Sequence, residues 1–328
     1  MKTAIIAMTL ATCIQPELDR AVTDYGLPSI VAEVDGQWSS AGEKRLPEHR
    51  FRIGSTTKTF VATLVLQLNA EGKLRLDDTI GRWVPGLSDR VTVRQLLNHT
   101  SGIFDYLQDP AIRTCANCTP ERMIQIAKNH PAGKPGTWEY SNTNYIVAGM
   151  IVEQVTGNPL AEELATRVTR PLNLQGTYLP VGDEAVIRGP HARHYTKFDN
   201  TTYDVTDMDP SPYWATGGMV STTGDLSRFF QALVRGKLLP SRQQREMFTA
   251  HPTNNWIPNT RYGLGISEVT LACGKKVWGM GGAIMGSWTY TYGDTRHMLA
   301  MNVNADWNNP IEQFTNVLHA KFCGTRSA

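Results

Sequence analysis

The sequence predicts an α/β fold in which the N- and C-terminal segments build one central antiparallel sheet, flanked by helices, with a mainly helical lobe inserted at about residues 75–215. Three observations predict it. A strand pattern lies near the N-terminus, several more fill the last third of the chain, and short helices separated by loops rich in Pro, Gly and Asn lie between them. The 328 residues can bury a large core, as one domain or as two lobes.

The first 13 residues, MKTAIIAMTLATC, contain a lysine, an apolar stretch and small residues, as a short export signal does. We therefore expect a leader at 1–13, a folded domain at 14–328 and an exported protein, with a cytoplasmic protein as the alternative. No apolar run approaches the roughly 20 residues that span a bilayer, so no transmembrane segment is predicted.

The elements that follow are predicted from periodicity and from turn residues. A helix at about 14–25 precedes the strand SIVAEVDGQW, whose Asp35-Gly36 pair is a hairpin signal. Residues 50–74, RFRIGSTTKTFVATLVLQLNAEGKL, contain an apolar helix that is predicted to run to about Glu71, with Gly72 placed to cap its C-terminus. The segment FRIGS is expected to be a strand or turn that leads into this helix.

Further helices are predicted in VTVRQLLNH, in ERMIQIAKN, at about residues 144–155 and in GDLSRFFQALVRG. The last third of the chain predicts strands in RYGLGISEVTL, KVWGM, SWTYTYG and RHMLAMNVN. The final helix, PIEQFTNVLHAKF, places four apolar residues on one face, namely Ile311, Phe314, Val317 and Leu318.

With 41% hydrophobic and 19% charged residues and a formal net charge of +2, the composition is that of an ordinary globular protein, and it predicts no nucleic-acid or membrane-surface partner. The five cysteines are an odd number. Cys115 and Cys118 are close enough for a local loop, although a CxxC also occurs in redox and zinc sites. In an exported protein, Cys273 and Cys323 are the candidate disulfide.

Ser55 precedes Lys58 by three positions at the start of the apolar helix, so the two side chains are expected on one helix face. A serine hydroxyl becomes a nucleophile when a base removes its proton, and a lysine can do so if its pKa is lowered by burial. The helix N-terminus adds N–H groups that can stabilise an oxyanion. A serine N-cap followed by an incidental lysine is the alternative.

A second polar group, Tyr140, Ser141 and Asn142, precedes the helix at 144–155. A phenol can pass protons if nearby cations lower its pKa, and the amide of Asn142 can bind a substrate carbonyl or orient the lysine. A capping Ser-Asn pair beside a buried tyrosine is the alternative.

Together these elements resemble the serine penicillin-recognising enzymes, which are DD-peptidases, class C β-lactamases and related esterases, and above all the D-alanyl-D-alanine carboxypeptidases. The resemblance extends over about residues 20–325 and is carried by FRIGSTTKTF, LQLNAEGKL, VTVRQLLNHTSGIFDY, YSNTNYIVAGMIVEQVTG, PLNL and YGLGI. It implies a β-lactamase/DD-peptidase-like fold and an acyl-enzyme mechanism that cleaves an amide or ester. It also implies a disulfide between Cys273 and Cys323.

Carried over residue by residue, the resemblance makes Ser55 the acylated nucleophile and Lys58 its proton acceptor. Tyr140 corresponds to the tyrosine that passes protons to the leaving group. Asn142 corresponds to the asparagine that holds the substrate amide. No cofactor and no metal are expected, since no second CxxC follows CANC.

The sequence departs from this pattern at the third family motif, where Met280-Gly281-Gly282 replaces Lys-Thr-Gly or His-Thr/Ser/Ala-Gly. A methionine thioether carries no charge, so the cation that helps to tune the tyrosine and to attract an anionic substrate is missing. The backbone N–H groups of Ala283 and Ser55 are still expected to form an oxyanion hole.

The groups that bind a terminal D-Ala carboxylate in these relatives, a hydroxyl and an arginine, are replaced here by Ala283 and Ser267. Each such charge-assisted contact is worth roughly 1.5–3 kcal/mol, so we expect weak carboxypeptidase specificity. The sequence therefore predicts a serine hydrolase or acyltransferase that acts on a small-molecule or peptide acyl donor, with β-lactams as candidate ligands. A catalytically silent homologue that binds penicillin or peptidoglycan is the alternative.

Other residues near these motifs have weaker signals. Phe104 and Trp214 are candidate walls of the substrate cleft, with core packing as the alternative. His99 is expected to close a helix and to brace a loop near the cleft. His191 and His194 have the spacing of metal ligands but no third ligand nearby, so a solvated loop is expected there.

Overall fold

The computed structural model describes residues 2–182 and 184–324 and confirms a mixed α/β fold around one antiparallel sheet. Its strands are, in chain order, β1 (Ser29–Val34), β2 (Gln37–Gly42), β3 (Phe51–Arg52), β4 (Tyr195–Phe198), β5 (Thr201–Asp204), β6 (Val220–Ser221), β7 (His251–Pro252), β8 (Thr260–Tyr262), β9 (Ser267–Thr270), β10 (Lys276–Ile284), β11 (Ser287–Gly293) and β12 (Met298–Val303). The central sheet has the order β2-β1-β12-β11-β10-β9-β8-β7. Because β1 pairs with β12, the N- and C-terminal segments build one sheet, as predicted.

The helices are α1 (Lys2–Thr23), α2 (Thr57–Ala70), α3 (Val93–Leu97), α4 (Pro120–Lys128), α5 (Thr143–Thr156), α6 (Leu160–Leu164), α7 (Trp214–Gly217), α8 (Thr223–Val234), α9 (Ser241–Met247) and α10 (Ile311–Cys323). The first helix begins at Lys2 rather than near residue 14, and the predicted leader boundary at residue 13 stays a prediction. Within the described ranges, no helix has both the length and the apolarity that a bilayer crossing requires.

Helices cover both faces of the sheet. Successive side chains of a strand point to opposite faces, and apolar residues on both faces need a covering layer. On β12, Leu299 and Met301 face the core that contains α1 and α10, whereas Met298 and Ala300 face the core that contains α8. The predicted apolar face of α10 is buried at Phe314, Val317 and Leu318, while Ile311 is half-buried.

In the centre of the helical region, α2 packs against α5 of the inserted lobe. Both helices are buried on nearly every side, which explains why their sequences are apolar almost all round. The turn that precedes α2 contacts β10. The Ser-x-x-Lys segment therefore lies at the junction of the sheet and the helical lobe.

Two segments differ from the prediction. RYGLGISEVTL is not one strand, because a turn at Gly265, with a φ of +77°, separates β8 from β9. The lobe also contains the unpredicted hairpin β4–β5, whose turn residues Asp199 and Asn200 both have positive φ. The alternating sequence YTKFDNTTYD around that turn is a hairpin signal.

Two disulfides join the candidate cysteine pairs. Cys115 is bonded to Cys118 within the CANC loop. Cys273, which follows β9, is bonded to Cys323 at the end of α10. The second bond therefore fastens the last helix to the sheet.

Replacing both Cys273 and Cys323 by serine is expected to lower the free energy of unfolding by about 4 kcal/mol, because the bond spans 50 residues and restricts the unfolded chain. Urea and thermal unfolding of the oxidised protein measure this loss. The matched control replaces Cys115 and Cys118, which lie only 3 positions apart and should matter less. A larger loss in the control would contradict the expectation.

Candidate active site

Ser55 lies in the turn Gly54–Thr56, which connects β3 to α2 and presses against β10. Two glycines permit this close approach. Gly54 has a φ of +50°, and a Cβ on it would lie 2.7 Å from the Ala283 nitrogen. A Cβ on Gly282 would lie 2.8 Å from the Ser55 nitrogen. The backbone N–H groups of Ser55 and Ala283 are therefore neighbours, which fits the predicted oxyanion hole.

Lys58 lies one turn beyond Ser55 and is completely buried. Its Nζ lies 2.9 Å from Ser55 Oγ, 2.8 Å from Asn142 Oδ1 and 2.7 Å from the Thr216 carbonyl oxygen. Burial lowers the pKa of Lys58 to about 7, against the opposing attraction of Asp105. A large fraction of the lysine is therefore an uncharged amine near neutral pH.

The partners of Nζ determine where the lone pair of this amine points. The oxygens of Asn142 and Thr216 only accept hydrogen bonds, so they take the two hydrogens of the neutral amine. The lone pair then faces the Ser55 hydroxyl. This is the arrangement of a base that is ready to accept the serine proton.

Tyr140 reaches Ser55 from the lobe. Its Oη donates a hydrogen bond to Ser55 Oγ at 2.9 Å, and Lys58 Nζ lies 5.0 Å from the centre of its ring. The structure thus brings together the three predicted catalytic side chains. Burial raises the pKa of Tyr140, rather than cations lowering it, so the phenol is protonated at neutral pH and acts as a donor.

Asn142 lies beside the lysine and outside the described lining of the cavity next to Ser55. Its Oδ1 accepts hydrogen bonds from Lys58 Nζ and Thr216 Oγ1, both at 2.8 Å. Its Nδ2 donates to Asp105 Oδ2 at 2.9 Å. Because its oxygen is already occupied by two donors, the contacts favour the lysine-orienting role over the predicted contact with a substrate amide.

The positions that carry charge in the resembling enzymes are uncharged here. Met280 is 1% exposed and belongs to the apolar core shared by lobe and sheet. Ser267, on β9, is fully buried, and its hydroxyl contacts the Gly279 carbonyl oxygen at 3.1 Å and Tyr292 Oη at 2.5 Å. Neither residue supplies a cation for a substrate carboxylate.

A cavity of about 480 Å³ opens beside Ser55 and Tyr140. Its described lining consists of Ser55, Tyr140, Asn255, Trp256, Ile257, Pro258, Met280, Gly281, Gly282, Ala283, Trp288, Thr289, Tyr290, Asn309 and Ile311. None of these described side chains carries a formal charge at neutral pH. The cavity is therefore suited to an uncharged, largely apolar group.

Phe104 and Trp214, the predicted cleft walls, are absent from this described lining. The ring of Phe104 stacks on His130 with a centroid distance of 3.8 Å, and Trp214 packs against α5 inside the lobe. The aromatic walls are supplied instead by Trp256 and Trp288. A tryptophan within the loop sequence TNNWIPN is the signal that identifies the first of these.

The two histidines of HARH are not arranged as metal ligands. His191 Nδ1 donates to the Gly189 carbonyl oxygen at 2.7 Å, while His194 is fully buried rather than on a solvated loop. In the part of the chain that the structure describes, no three His, Cys, Asp or Glu side chains are grouped as a metal site.

The β-lactamase family model matches residues 21–322 of this chain. Among solved structures, the D-stereospecific amidohydrolase from Streptomyces sp. is 38% identical, with a TM-score of 0.89 over 96% of this chain and 99% of that chain. The D-amino acid amidase from Ochrobactrum anthropi SV3 is 27% identical, with a TM-score of 0.84 over 94% of this chain and 98% of that chain.

Two curated relatives are longer proteins. The teichoic acid D-alanine hydrolase of Staphylococcus aureus (strain MRSA252) is 24% identical over 82% of this chain and 66% of its own length. Penicillin-binding protein 4* of Bacillus subtilis (strain 168) is 28% identical over 62% of this chain and 49% of its own length. The chain thus spans about half to two thirds of the length of these relatives. Because the family model covers nearly all of its residues, the chain belongs to the β-lactamase family.

Proposed function

We propose that this protein is a serine hydrolase that cleaves amides or esters of D-amino acids without a free carboxylate, through an acyl-enzyme on Ser55. The observation that carries the proposal is the position of Ser55 Oγ, 2.9 Å from both Lys58 Nζ and Tyr140 Oη. An alcohol between a base and an acid is what acyl transfer requires. The similarity to a D-stereospecific amidohydrolase and a D-amino acid amidase supports the choice of substrate.

The cavity supports an uncharged acyl donor. Its described lining contains no lysine or arginine that would bind a carboxylate, and Met280 lies where the resembling enzymes carry a cation. Trp256 and Trp288 offer aromatic surfaces that favour an aromatic or apolar substrate side chain. An amide or ester of such an amino acid fits these surroundings better than a peptide that ends in a carboxylate.

In the proposed reaction, Ser55 Oγ attacks the carbonyl carbon while its proton passes to Lys58. The N–H groups of Ser55 and Ala283 stabilise the oxyanion. The carbon–nitrogen bond then breaks, the leaving amine takes the proton of Tyr140, and the proton held by Lys58 restores the phenol. Water, or an amine in an acyltransferase reaction, removes the acyl group from Ser55 by the same steps in reverse.

Matched substrates test the proposed function. We expect kcat/KM for D-phenylalanine amide to exceed that for the L-enantiomer, and that for a peptide ending in D-Ala-D-Ala, by at least about tenfold. Chiral chromatography of the products measures these rates. A preference for the peptide with a free carboxylate, or turnover of none of the three compounds, would overturn the proposal.

Met280→His provides a matched variant for the same experiment. Returning a cation to the cleft should raise the ratio of peptide to amide turnover by about tenfold at pH 6, where more of the imidazole is charged. A change in the protonation of Lys58 would alter the peptide and amide rates alike, so it would leave their ratio unchanged. Met280→Leu, which changes shape without adding charge, serves as the control. An unchanged ratio in Met280→His would place the carboxylate away from this position.

We also infer that the protein works outside the cytoplasm. The bonds Cys115–Cys118 and Cys273–Cys323 support this location, since disulfides persist mainly in oxidising compartments. Similarity to a teichoic acid D-alanine hydrolase is also in keeping with the cell envelope.

A further inference from the structure

His99 contacts Tyr140 and the backbone on both sides of it. Its imidazole ring lies 4.2 Å from the phenol ring, centroid to centroid, at an interplanar angle of 27°. Its carbonyl oxygen accepts a hydrogen bond from the Glu139 N–H at 2.8 Å. Its Nδ1 accepts another from the Ser141 N–H at 3.2 Å. One residue therefore holds the chain before the tyrosine, the chain after it and the plane of the phenol.

The backbone of His99 is itself in a rare conformation. The residue follows the last turn of α3, is fully buried and has a φ of +60°, in the left-handed region that residues with a Cβ seldom adopt. Such a conformation persists only where the surrounding structure imposes it, and it often occurs at functional sites. Here it turns the imidazole under the phenol of Tyr140.

The hydrogen bonds of His99 define its tautomer. The Ser141 N–H and Asn144 Nδ2 both point at Nδ1, so this nitrogen carries no hydrogen and the ring proton lies on Nε2. Burial, reinforced by the charge of Lys58, keeps the pKa of His99 well below its usual value. The ring under Tyr140 is therefore neutral and does not draw the proton away from the phenol.

We propose that His99 is a positioning residue for Tyr140, which keeps the phenol hydroxyl aimed at Ser55 while a proton passes to the leaving group. This inference rests on the proposed function. His99 touches neither Ser55 nor Lys58 by any described hydrogen bond, so it acts through the tyrosine. Because a displacement of about 1 Å can cost about a hundredfold in rate, a residue that restrains the tyrosine on three sides affects the reaction rate by holding the phenol in place.

Two substrates with the same D-phenylalanyl group separate positioning from simple bracing. The p-nitroanilide needs a proton on its leaving nitrogen, whereas the p-nitrophenyl ester releases a stable anion. The measured quantity is the first-turnover release of nitroaniline or nitrophenol. We expect His99→Asn to slow acylation by the anilide about tenfold to a hundredfold, and acylation by the ester by less than about threefold.

Two variants each remove a different contact of His99. His99→Asn tolerates a positive φ and keeps an acceptor but lacks the stacked ring, whereas His99→Phe keeps a ring and lacks the acceptor. Both should show the selective loss on the anilide. If thermal unfolding shows that one of them does not fold, the acylation rates of the other variant provide the test. Thr100→Ala, which leaves the contacts of Tyr140 intact, is the control and should change both rates by less than about twofold.

The outcomes are distinct. Equal losses on the ester and the anilide, or no loss on either, would overturn the assignment, since a residue that only braces the loop lowers both rates together. A wild-type protein that is acylated by neither substrate would overturn the proposed function, and the role of His99 with it. A wild-type protein that accepts both substrates leaves the proposed function standing whatever the variants do.

Discussion

Ser55→Ala is expected to lower kcat for amides and esters by at least about 10⁴-fold and to abolish covalent labelling. The reason is geometric, because Ser55 Oγ is the atom that Lys58 Nζ and Tyr140 Oη both contact at 2.9 Å. Without this oxygen, the base and the acid share no partner and the acyl group has no atom to which it can be attached. What remains is binding in the cavity and the oxyanion hole.

Intact-protein mass spectrometry after exposure to penicillin or to a p-nitrophenyl ester measures the adduct. The matched control is Thr289→Val, which removes another hydroxyl from the same cavity and should leave the adduct in place. Equal turnover by the wild type and Ser55→Ala would place the chemistry elsewhere. A wild type that binds penicillin and never forms an adduct would favour the catalytically silent homologue.

Lys58→Met is expected to slow acylation by about 10²–10⁴-fold, since the variant keeps an apolar chain of similar length and loses the base. In the wild type, acylation should rise as the pH passes about 7 and level off above it, because only the uncharged amine accepts the serine proton. Stopped-flow measurement of the first turnover across pH 5–9 is the direct test. This rise near pH 7 should be missing from the profile of Lys58→Met.

Asp105→Asn is the matched variant for this pH profile. The carboxylate of Asp105 favours the charged form of Lys58, so its removal should lower the pKa of the lysine further and shift the rise to lower pH. The asparagine can still accept the hydrogen bond from Asn142 Nδ2. If the acylation rate of Lys58→Met still rises near pH 7, a group other than Lys58 is the base.

The pairing of Ser55 with Lys58 could be predicted because three positions on a helical turn fix their distance. The contact with Tyr140 could not be derived in this way, since 85 positions separate it from the serine. Only the Tyr-Ser-Asn motif at residues 140–142 indicated that Tyr140 belongs to the site. The raised pKa of Tyr140 could not be predicted either, because the degree of burial of the phenol depends on how the chain packs around it.

The cavity was the least predictable part of the site. Trp256 and Trp288 are brought to Ser55 by the order of strands in the sheet, which no short sequence pattern specifies. From the sequence, Phe104 was as reasonable a candidate for the cavity wall as either tryptophan. The structure shows instead that its ring stacks on His130. The fold itself was predictable where periodicity was long and clear, as in α2, and less so in the hairpin β4–β5.

The pairing of β1 with β12 has a consequence for the synthesis of the protein. Ile30 faces Val303 across this pair, so the sheet cannot close until nearly all of the described chain has left the ribosome. Until then, β1 has a partner in β2 on one side and an open edge on the other. The nascent chain therefore exposes an unpaired strand edge until its last strand emerges, and we expect chaperones to protect this edge from aggregation.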